Sequence, residues 1–159
     1  MVPEGLLEVA GTGPEEERLR RLADAVAPGR VRFHGLLGKE DVHRLMLAAS
    51  VVVLPSRWYE NQPMVVLEAL ARGVPVVGPD LGGLPELVDP GKTGALVPPD
   101  APRALADALR PFLADPGHGW SMRESAIARV RSDFSPERHL ERLDELYAQA
   151  RVSRVRAAA

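Results

Sequence analysis

The chain has 159 residues, of which 22 are acidic and 20 basic, so its formal net charge is −2. Near-neutral charge and only 4% aromatic residues argue against a nucleic-acid-binding protein, which would carry a basic face or stacking rings. Cysteine is absent, which excludes a disulfide framework, a thiolate zinc site and a cysteine nucleophile. Apolar runs such as Val51–Leu54 are too short to cross a bilayer, and the acidic N-terminus does not suggest a signal peptide. We therefore expect one cytoplasmic domain over residues 1–159.

Short apolar runs that end in glycine or proline alternate with amphipathic stretches along the chain. The runs predict strands and the stretches predict helices, because only the latter repeat apolar residues at helical spacing. The predicted strands are 6–10, 31–35, 51–55, 74–78 and 95–97, and the predicted helices are 15–26, 39–49, 64–72, 101–113 and about 136–153. Nearly continuous apolar strands indicate burial on both faces. This alternation predicts an α/β fold with a Rossmann-like, doubly wound parallel sheet.

Three local patterns suggest ligand chemistry but have simpler explanations. The segment Gly11-Thr12-Gly13-Pro14 is similar to a dinucleotide-binding turn, yet Glu16 stands at the third glycine position and would repel a pyrophosphate. Gly91-Lys92-Thr93 is similar to the end of a P-loop, but its earlier glycine is missing, which favours a turn into the strand 95–97. No histidine stands four residues from a second ligand, so we expect no metal site and place His43 and His139 on solvated helix faces.

The segment 55–69 carries the most chemical information. A strand ends at Pro55, a polar loop follows, and a helix begins near Pro63 or Met64. The loop leaves the carboxyl end of a buried strand, where open α/β sheets bind ligands, and the free N–H groups of the new helix favour an anion such as a diphosphate. Glu60 and Glu68 can both accept hydrogen bonds from vicinal hydroxyls in this crevice. On the pattern alone, a solvated loop residue and an ordinary helix-surface charge explain the two glutamates equally well.

Seven residues separate Glu60 from Glu68, which matches the E-x7-E pattern of retaining glycosyltransferases of GT-B architecture. The segment therefore resembles the glycosyl transferases group 1 family. Residues 31–35, 49–56, 68–77 and 81–88 resemble further segments of that family in the same order. Glu60-Asn61-Gln62-Pro63 is similar to the branch with asparagine after the first glutamate. The resemblance covers about residues 6–150 and concerns only the C-terminal, donor-binding domain of such an enzyme.

The resemblance implies a site whose members all contact the nucleotide-sugar donor: His34, Gly35, Leu36, Glu60, Asn61, Gln62, Pro63, Met64 and Glu68. Glu60 would be the catalytic residue, binding hydroxyls of the donor sugar nearest the anomeric centre. Glu68 would accept hydrogen bonds from the ribose, and the backbone of residues 61–64 would line the sugar–diphosphate cradle. Residues 34–36 would lie near the base. Such enzymes transfer a glycosyl group with retention and use no cofactor or catalytic metal.

The resemblance also implies that parts of the parent enzyme lie outside this sequence. The acceptor domain is missing, and so is the first strand of the donor domain with its basic diphosphate-binding signals. Arg57 is a candidate to replace those signals, or else an ordinary surface residue. The expected partners are a nucleotide sugar and the acceptor domain, with no nucleic acid, and any peripheral membrane association would come from the missing parts.

The missing strand leads to an expectation about the sheet. It is central in the family's strand order, so its absence would leave two buried strand edges without hydrogen bonds. We expect the sheet to close by pairing 6–10 with 51–54, in the order 31–35, 6–10, 51–54, 74–78, 95–97, or to borrow a strand from another chain.

Three hypotheses about function remain at this point. The first is the donor-binding part of a retaining glycosyltransferase, inactive without its acceptor domain. The second is a non-catalytic nucleotide-sugar-binding or interaction module of the same fold. The third, a nucleotide-sugar epimerase of the same two-domain architecture, is disfavoured because the segment with Asn61 fits the transferase branch better.

Overall fold

A computed structural model describes the backbone of residues 5–157 and the side chains of residues 5–115 and 117–151. The strands are β1 (Leu7–Ala10), β2 (Val31–Gly35), β3 (Val52–Val53), β4 (Val76–Pro79) and β5 (Gly94–Val97). The helices are α1 (Glu16–Val26), α2 (Lys39–Ala48), α3 (Met64–Ala71), α4 (Leu84–Leu87), α5 (Pro102–Ala114), α6 (Pro116–Ser121), α7 (Arg123–Asp133) and α8 (Pro136–Ala157). Every predicted strand and helix is present, with ends shifted by a few residues. The structure adds the short helix α4, in the segment 81–88, and the helices α6 and α7 between α5 and α8.

The strands described by the structure form two parallel sheets instead of one. β1 pairs with β2, and β3, β4 and β5 form a second sheet in that order. In the second sheet Val52 lies opposite Val76, and Val77 lies opposite Ala95. The expected five-stranded sheet required the segment 6–10 to pair with 51–54, and that prediction is wrong.

The exposure of β1 removes the reason for expecting the sheet to close. The expectation assumed that an unpaired edge would be buried, yet Leu7 is 49% exposed and Leu6 is 46% exposed. An edge that reaches water satisfies its N–H and C=O groups there, so leaving it unpaired costs little. β3 also pairs over only two residues, which gives a neighbouring strand few groups to bond.

The core lies on both faces of β4, which is buried along its whole length. Val76 packs into a cluster formed mainly by α3, α4 and α7, whose fully buried members include Val66, Leu70, Leu87 and Val88. Val77, the next residue, packs into a second cluster with Phe112 of α5 and Met122. Because successive side chains of a strand point to opposite faces, helices cover both sides of this sheet, which is the doubly wound arrangement predicted from the sequence.

Local sequence signals explain where several elements begin and end. Ser135 caps α8, since its Oγ accepts a hydrogen bond from the Arg138 N–H at 3.2 Å. Gly73 follows α3 with φ of +74°, the left-handed conformation expected of the residue that closes a helix. Thr93 is buried, and its Oγ1 accepts a hydrogen bond from the Asp89 N–H at 2.8 Å. This bond stabilises a turn into β5, as predicted for that segment in place of a P-loop.

The open edge of β1 can be tested by hydrogen exchange. The N–H groups of Leu7 and Gly11 donate to carbonyl groups at either end of β2, at 2.9 and 2.8 Å. In a parallel pair alternate residues bond to the same neighbour, so the N–H groups of Glu8 and Ala10 point to the other edge. We expect these two amides to exchange at least about tenfold faster than that of Leu7 in an NMR exchange series. Equal protection of Glu8, Ala10 and Leu7 would show that a further strand covers this edge.

Candidate functional site

The loop between β3 and α3 is held by the glycine turn that precedes α4. The carbonyl oxygen of Glu60 accepts a hydrogen bond from the Gly83 N–H at 2.7 Å. A Cβ atom on Gly83 would lie 1.7 Å from the carbonyl oxygen of Asn61, and one on Gly82 would lie 2.6 Å from that of Glu60. Only glycine leaves room for such a close approach of two backbones. Two segments that the resemblance links only through their order in the sequence are therefore in direct contact.

The carboxylate of Glu60 is half-buried and has a defined partner in its own loop. Its Oε1 accepts a hydrogen bond from the Ser56 hydroxyl at 2.5 Å. This bond spans the loop from the end of β3 to the turn before α3, so it restrains the direction of the carboxylate. The contact and the burial weigh against the interpretation of Glu60 as a freely solvated loop residue.

The N-terminus of α3 lies directly after this loop. Pro63 is buried with φ of −66° and precedes Met64, the first residue of the helix. The side chains of Asn61, Gln62 and Met64 are exposed. The first N–H groups of a helix have no partner within it and carry the positive end of its dipole. The loop therefore presents Glu60 beside backbone groups that favour an anion.

Glu68 lies in the second turn of α3, where that helix packs against α2. Its side chain is 32% exposed, and its Oε2 lies 3.7 Å from Nε2 of His43 on α2. The carbonyl oxygen of Glu68 accepts a hydrogen bond from Nη1 of Arg72 at 2.7 Å. The expectation of a solvated helix face was wrong for His43, whose side chain is only 19% exposed. His43 stands three residues before Met46, which is buried, and this helical spacing is the signal that could have indicated its burial.

The residues expected near the base lie together at the end of β2. His34 Nε2 is 2.5 Å from Glu8 Oε2 on the neighbouring strand. Gly35 has φ of +66°, and its carbonyl oxygen accepts the hydrogen bond from Gly11. Leu36 is 85% exposed. His34 also lines a hollow of about 250 Å³, together with Leu37, Asp41, Arg44 and Leu45.

The site residues thus fall into two groups on different sheets. Residues 34–36 lie at the end of β2, whereas residues 60–64 follow β3. Glu68 lies beside His43 of α2, the helix that follows the first group. Neither Glu60 nor Glu68 lines the hollow at His34.

Two other features that the sequence suggested, Arg57 and the turn at Gly11, take no part in these groups. Arg57 Nε forms an ion pair with Asp100 Oδ1 at 2.8 Å, and both side chains are largely exposed. The turn at Gly11 opens a hollow of about 250 Å³ that is lined by Glu15 and Glu16, the first of which pairs with Arg18. Carboxylates at this position agree with the sequence argument against a pyrophosphate there.

Comparison with known proteins settles the family. Residues 4–115 match the family described as Glycosyl transferases group 1. The chain belongs to this family. The D-inositol 3-phosphate glycosyltransferase of Corynebacterium jeikeium is 38% identical over 138 residues, which are 86% of this chain and 32% of that relative. The chain spans about a third of the length of the curated relatives it matches.

Solved glycosyltransferase structures share the fold. Sucrose-phosphate synthase from Thermosynechococcus elongatus superposes with a TM-score of 0.80 at 34% identity, covering 96% of this chain and 40% of that one. Anabaena HepE in complex with UDP superposes with a TM-score of 0.80 at 25% identity, covering 92% and 42% of the two chains. The fold of this glycosyltransferase-family chain is therefore the α/β, Rossmann-like C-terminal half of a GT-B fold. Between residues 5 and 157, no helix is both long and apolar enough to span a membrane.

The contact at Gly83 can be tested with a matched pair of glycines. Gly83 precedes α4 with φ of −82°, and Gly38 precedes α2 with φ of −68°, so alanine suits the backbone at both positions. Gly83→Ala should lower the free energy of unfolding by about 1–3 kcal/mol, because its methyl group meets the Asn61 carbonyl. Gly38→Ala should lower it by no more than about 1 kcal/mol, because the nearest side-chain atom is 3.8 Å away. Urea denaturation measures both losses, and equal values would contradict the proposed role of the contact.

Proposed function

We propose that this chain is the donor-binding part of a retaining, nucleotide-sugar-dependent glycosyltransferase that acts together with an acceptor domain. The observation that carries the proposal is the loop pinned by Gly83, which places the half-buried Glu60 beside the N-terminus of α3. Membership of the glycosyl transferases group 1 family supports the reaction class. The E-x7-E spacing of Glu60 and Glu68 supports the assignment of the two carboxylates.

The chemistry at the sugar follows from charge. Cleavage of a glycosyl–phosphate bond develops positive charge at the anomeric carbon, as in other glycosyl transfer reactions, and negative charge on the leaving diphosphate. The fixed carboxylate of Glu60 would accept hydrogen bonds from the sugar hydroxyls and stabilise the positive charge. The N–H groups of Met64 and of the residue after it, at the positive end of α3, would stabilise the diphosphate without a catalytic metal.

The nucleoside would extend from this cradle towards α2. Glu68 would accept hydrogen bonds from the ribose hydroxyls, and residues 34–36 would contact the base. The direct contact between Glu68 and α2 supports this path, because α2 begins shortly after the turn at residue 35. HepE was solved with UDP, which makes UDP the first nucleotide to test on this chain.

Binding to the nucleoside diphosphate can be measured by calorimetry on the full chain with UDP, GDP and ADP. Glu68→Ala should weaken binding of the preferred nucleotide by about 1–3 kcal/mol, because ribose hydroxyls lose a charged acceptor. Glu124→Ala provides the control, since Glu124 is an exposed glutamate on α7. Its binding free energy should stay within about 0.5 kcal/mol of the wild type. Equal affinities of the Glu68→Ala and Glu124→Ala variants would remove Glu68 from the site.

Replacing Glu60 should weaken the binding only of ligands that carry a donor sugar on the diphosphate. We expect Glu60→Ala to weaken the binding of UDP-glucose by about 1–3 kcal/mol. The binding free energy of UDP should stay within about 0.5 kcal/mol of its wild-type value. The same calorimetric titrations provide the comparison. Equal weakening of both ligands would mean that Glu60 supports the loop and does not contact the sugar.

A further inference from the structure

His43 carries a buried polar atom that has no hydrogen-bond partner. Among the side chains of residues 5–115 and 117–151, its Nε2 is the buried nitrogen or oxygen without a hydrogen-bond partner. A buried polar group without a partner destabilises a folded protein by about 1–3 kcal/mol. Such an atom calls for a physical explanation, and a functional contact is one.

The carboxylate proposed to bind ribose lies close to this nitrogen. His43 Nε2 lies 3.7 Å from Glu68 Oε2. That separation exceeds the usual limit of about 3.2 Å for an N–H···O hydrogen bond, so a small movement of the carboxylate would complete the bond. Arg72, the next cation along α3, donates to the Glu68 backbone carbonyl.

Packing of α2 against α3 fixes the position of the His43 backbone. Val42 and Met46, on either side of His43, pack into the same core cluster as Val66 and Leu70 of α3. With its helix anchored in this way, the ring of His43 is held at the α2–α3 contact. The Glu68 side chain is 32% exposed, so its carboxylate retains the freedom to move towards the imidazole.

We propose that His43 is a positioning residue for Glu68. Its Nε2–H holds one carboxylate oxygen, so that the other oxygen is presented to the ribose hydroxyls of the nucleotide. Binding orders the carboxylate and closes the gap to hydrogen-bond length, which satisfies the orphaned nitrogen. This inference rests on the proposed function and deepens it, because it explains what orients the ribose-binding carboxylate.

The test compares nucleotides that differ only in the groups that Glu68 would bind. UDP and GDP, and their 2′,3′-dideoxy counterparts, are titrated by calorimetry into the full chain and its variants. We expect His43→Ala to lower the affinity for the ribonucleotide about tenfold and to change the affinity for the dideoxy compound less than about twofold. His43→Gln should restore affinity to within about twofold, because its amide N–H reaches the place of Nε2, whereas His43→Asn should not. His139→Ala, a change at an exposed histidine of α8, is the control and should leave both affinities unchanged.

A double-mutant cycle tests whether His43 acts through Glu68. If His43 acts through Glu68, adding His43→Ala to Glu68→Ala produces no further loss of ribonucleotide affinity. Equal weakening of ribonucleotide and dideoxynucleotide by His43→Ala would overturn the proposal, since it would indicate a general structural effect. The proposal would also be overturned if His43→Ala left ribonucleotide binding unchanged while Glu68→Ala weakened that binding. Failure of wild type to bind either nucleotide would instead overturn the proposed function. Failure of Glu68→Ala to weaken binding would remove Glu68 from the site, and this inference with it.

A measurement without nucleotide tests the pair itself. At pH 8, ¹⁵N NMR of the imidazole distinguishes a ring with its proton on Nε2 from one with its proton on Nδ1. We expect the proton on Nε2 in the wild type, and a change in the Nε2 signal of Glu68→Gln that is absent in Glu124→Gln. A proton on Nδ1 in the wild type would overturn the proposal whatever the nucleotide titrations show, because Nε2 would then have no hydrogen to donate.

Discussion

The close approach of Gly83 to the Glu60–Asn61 backbone is the constraint on which the candidate site depends. The approach is possible because the surrounding core is itself tightly packed. A Cβ atom on Gly78 of β4 would lie 2.5 Å from Leu84 Cδ2 and 3.0 Å from the carbonyl oxygen of Leu54. The end of β3, the end of β4 and the start of α4 therefore meet with no room for an extra methyl group. The position of the Glu60 carboxylate is a consequence of this packing, with the Ser56 hydrogen bond as a local restraint.

The strands and helices could be predicted because each has a local signature. Val76 and Val77 belong to a short apolar run that ends in glycine and proline, and β4 is accordingly buried on both faces. β1 has a similar apolar run, yet Leu7 is half exposed and β1 does not pair with β3. An apolar run predicts a strand but does not determine which neighbour covers it. Sheet order depends on contacts between distant segments, and no local pattern encodes them.

The site shows the same division between local and distant information. The loop and the N-terminus of α3 could be predicted from Pro55, Pro63 and the helix that follows. The contact between Glu60 and Gly83 was not predicted, because it joins loops that follow different strands and the resemblance links those loops only through their order in the sequence. The burial of His43 was missed for a related reason. The apolar stripe of α2 indicates which face is buried, but α3, whose Glu68 lies beside His43, comes from a later part of the chain.

The charges around the two glutamates shape what this chain can bind. Arg57 is paired with Asp100, and Arg72 donates to a backbone carbonyl, so neither of these cations is directed at a diphosphate beside Glu60. The positive end of α3 is a partial charge of roughly half a unit, which is small against the charge of a diphosphate. Two carboxylates nearby would raise the energy of that anion unless hydroxyl groups stood between them and the phosphates. A ligand that places ribose at Glu68 and a sugar at Glu60 meets this condition, whereas a bare polyphosphate does not. With the two glutamates in the proposed roles, these charges therefore favour a diphosphate with a hydroxyl-bearing group at each end.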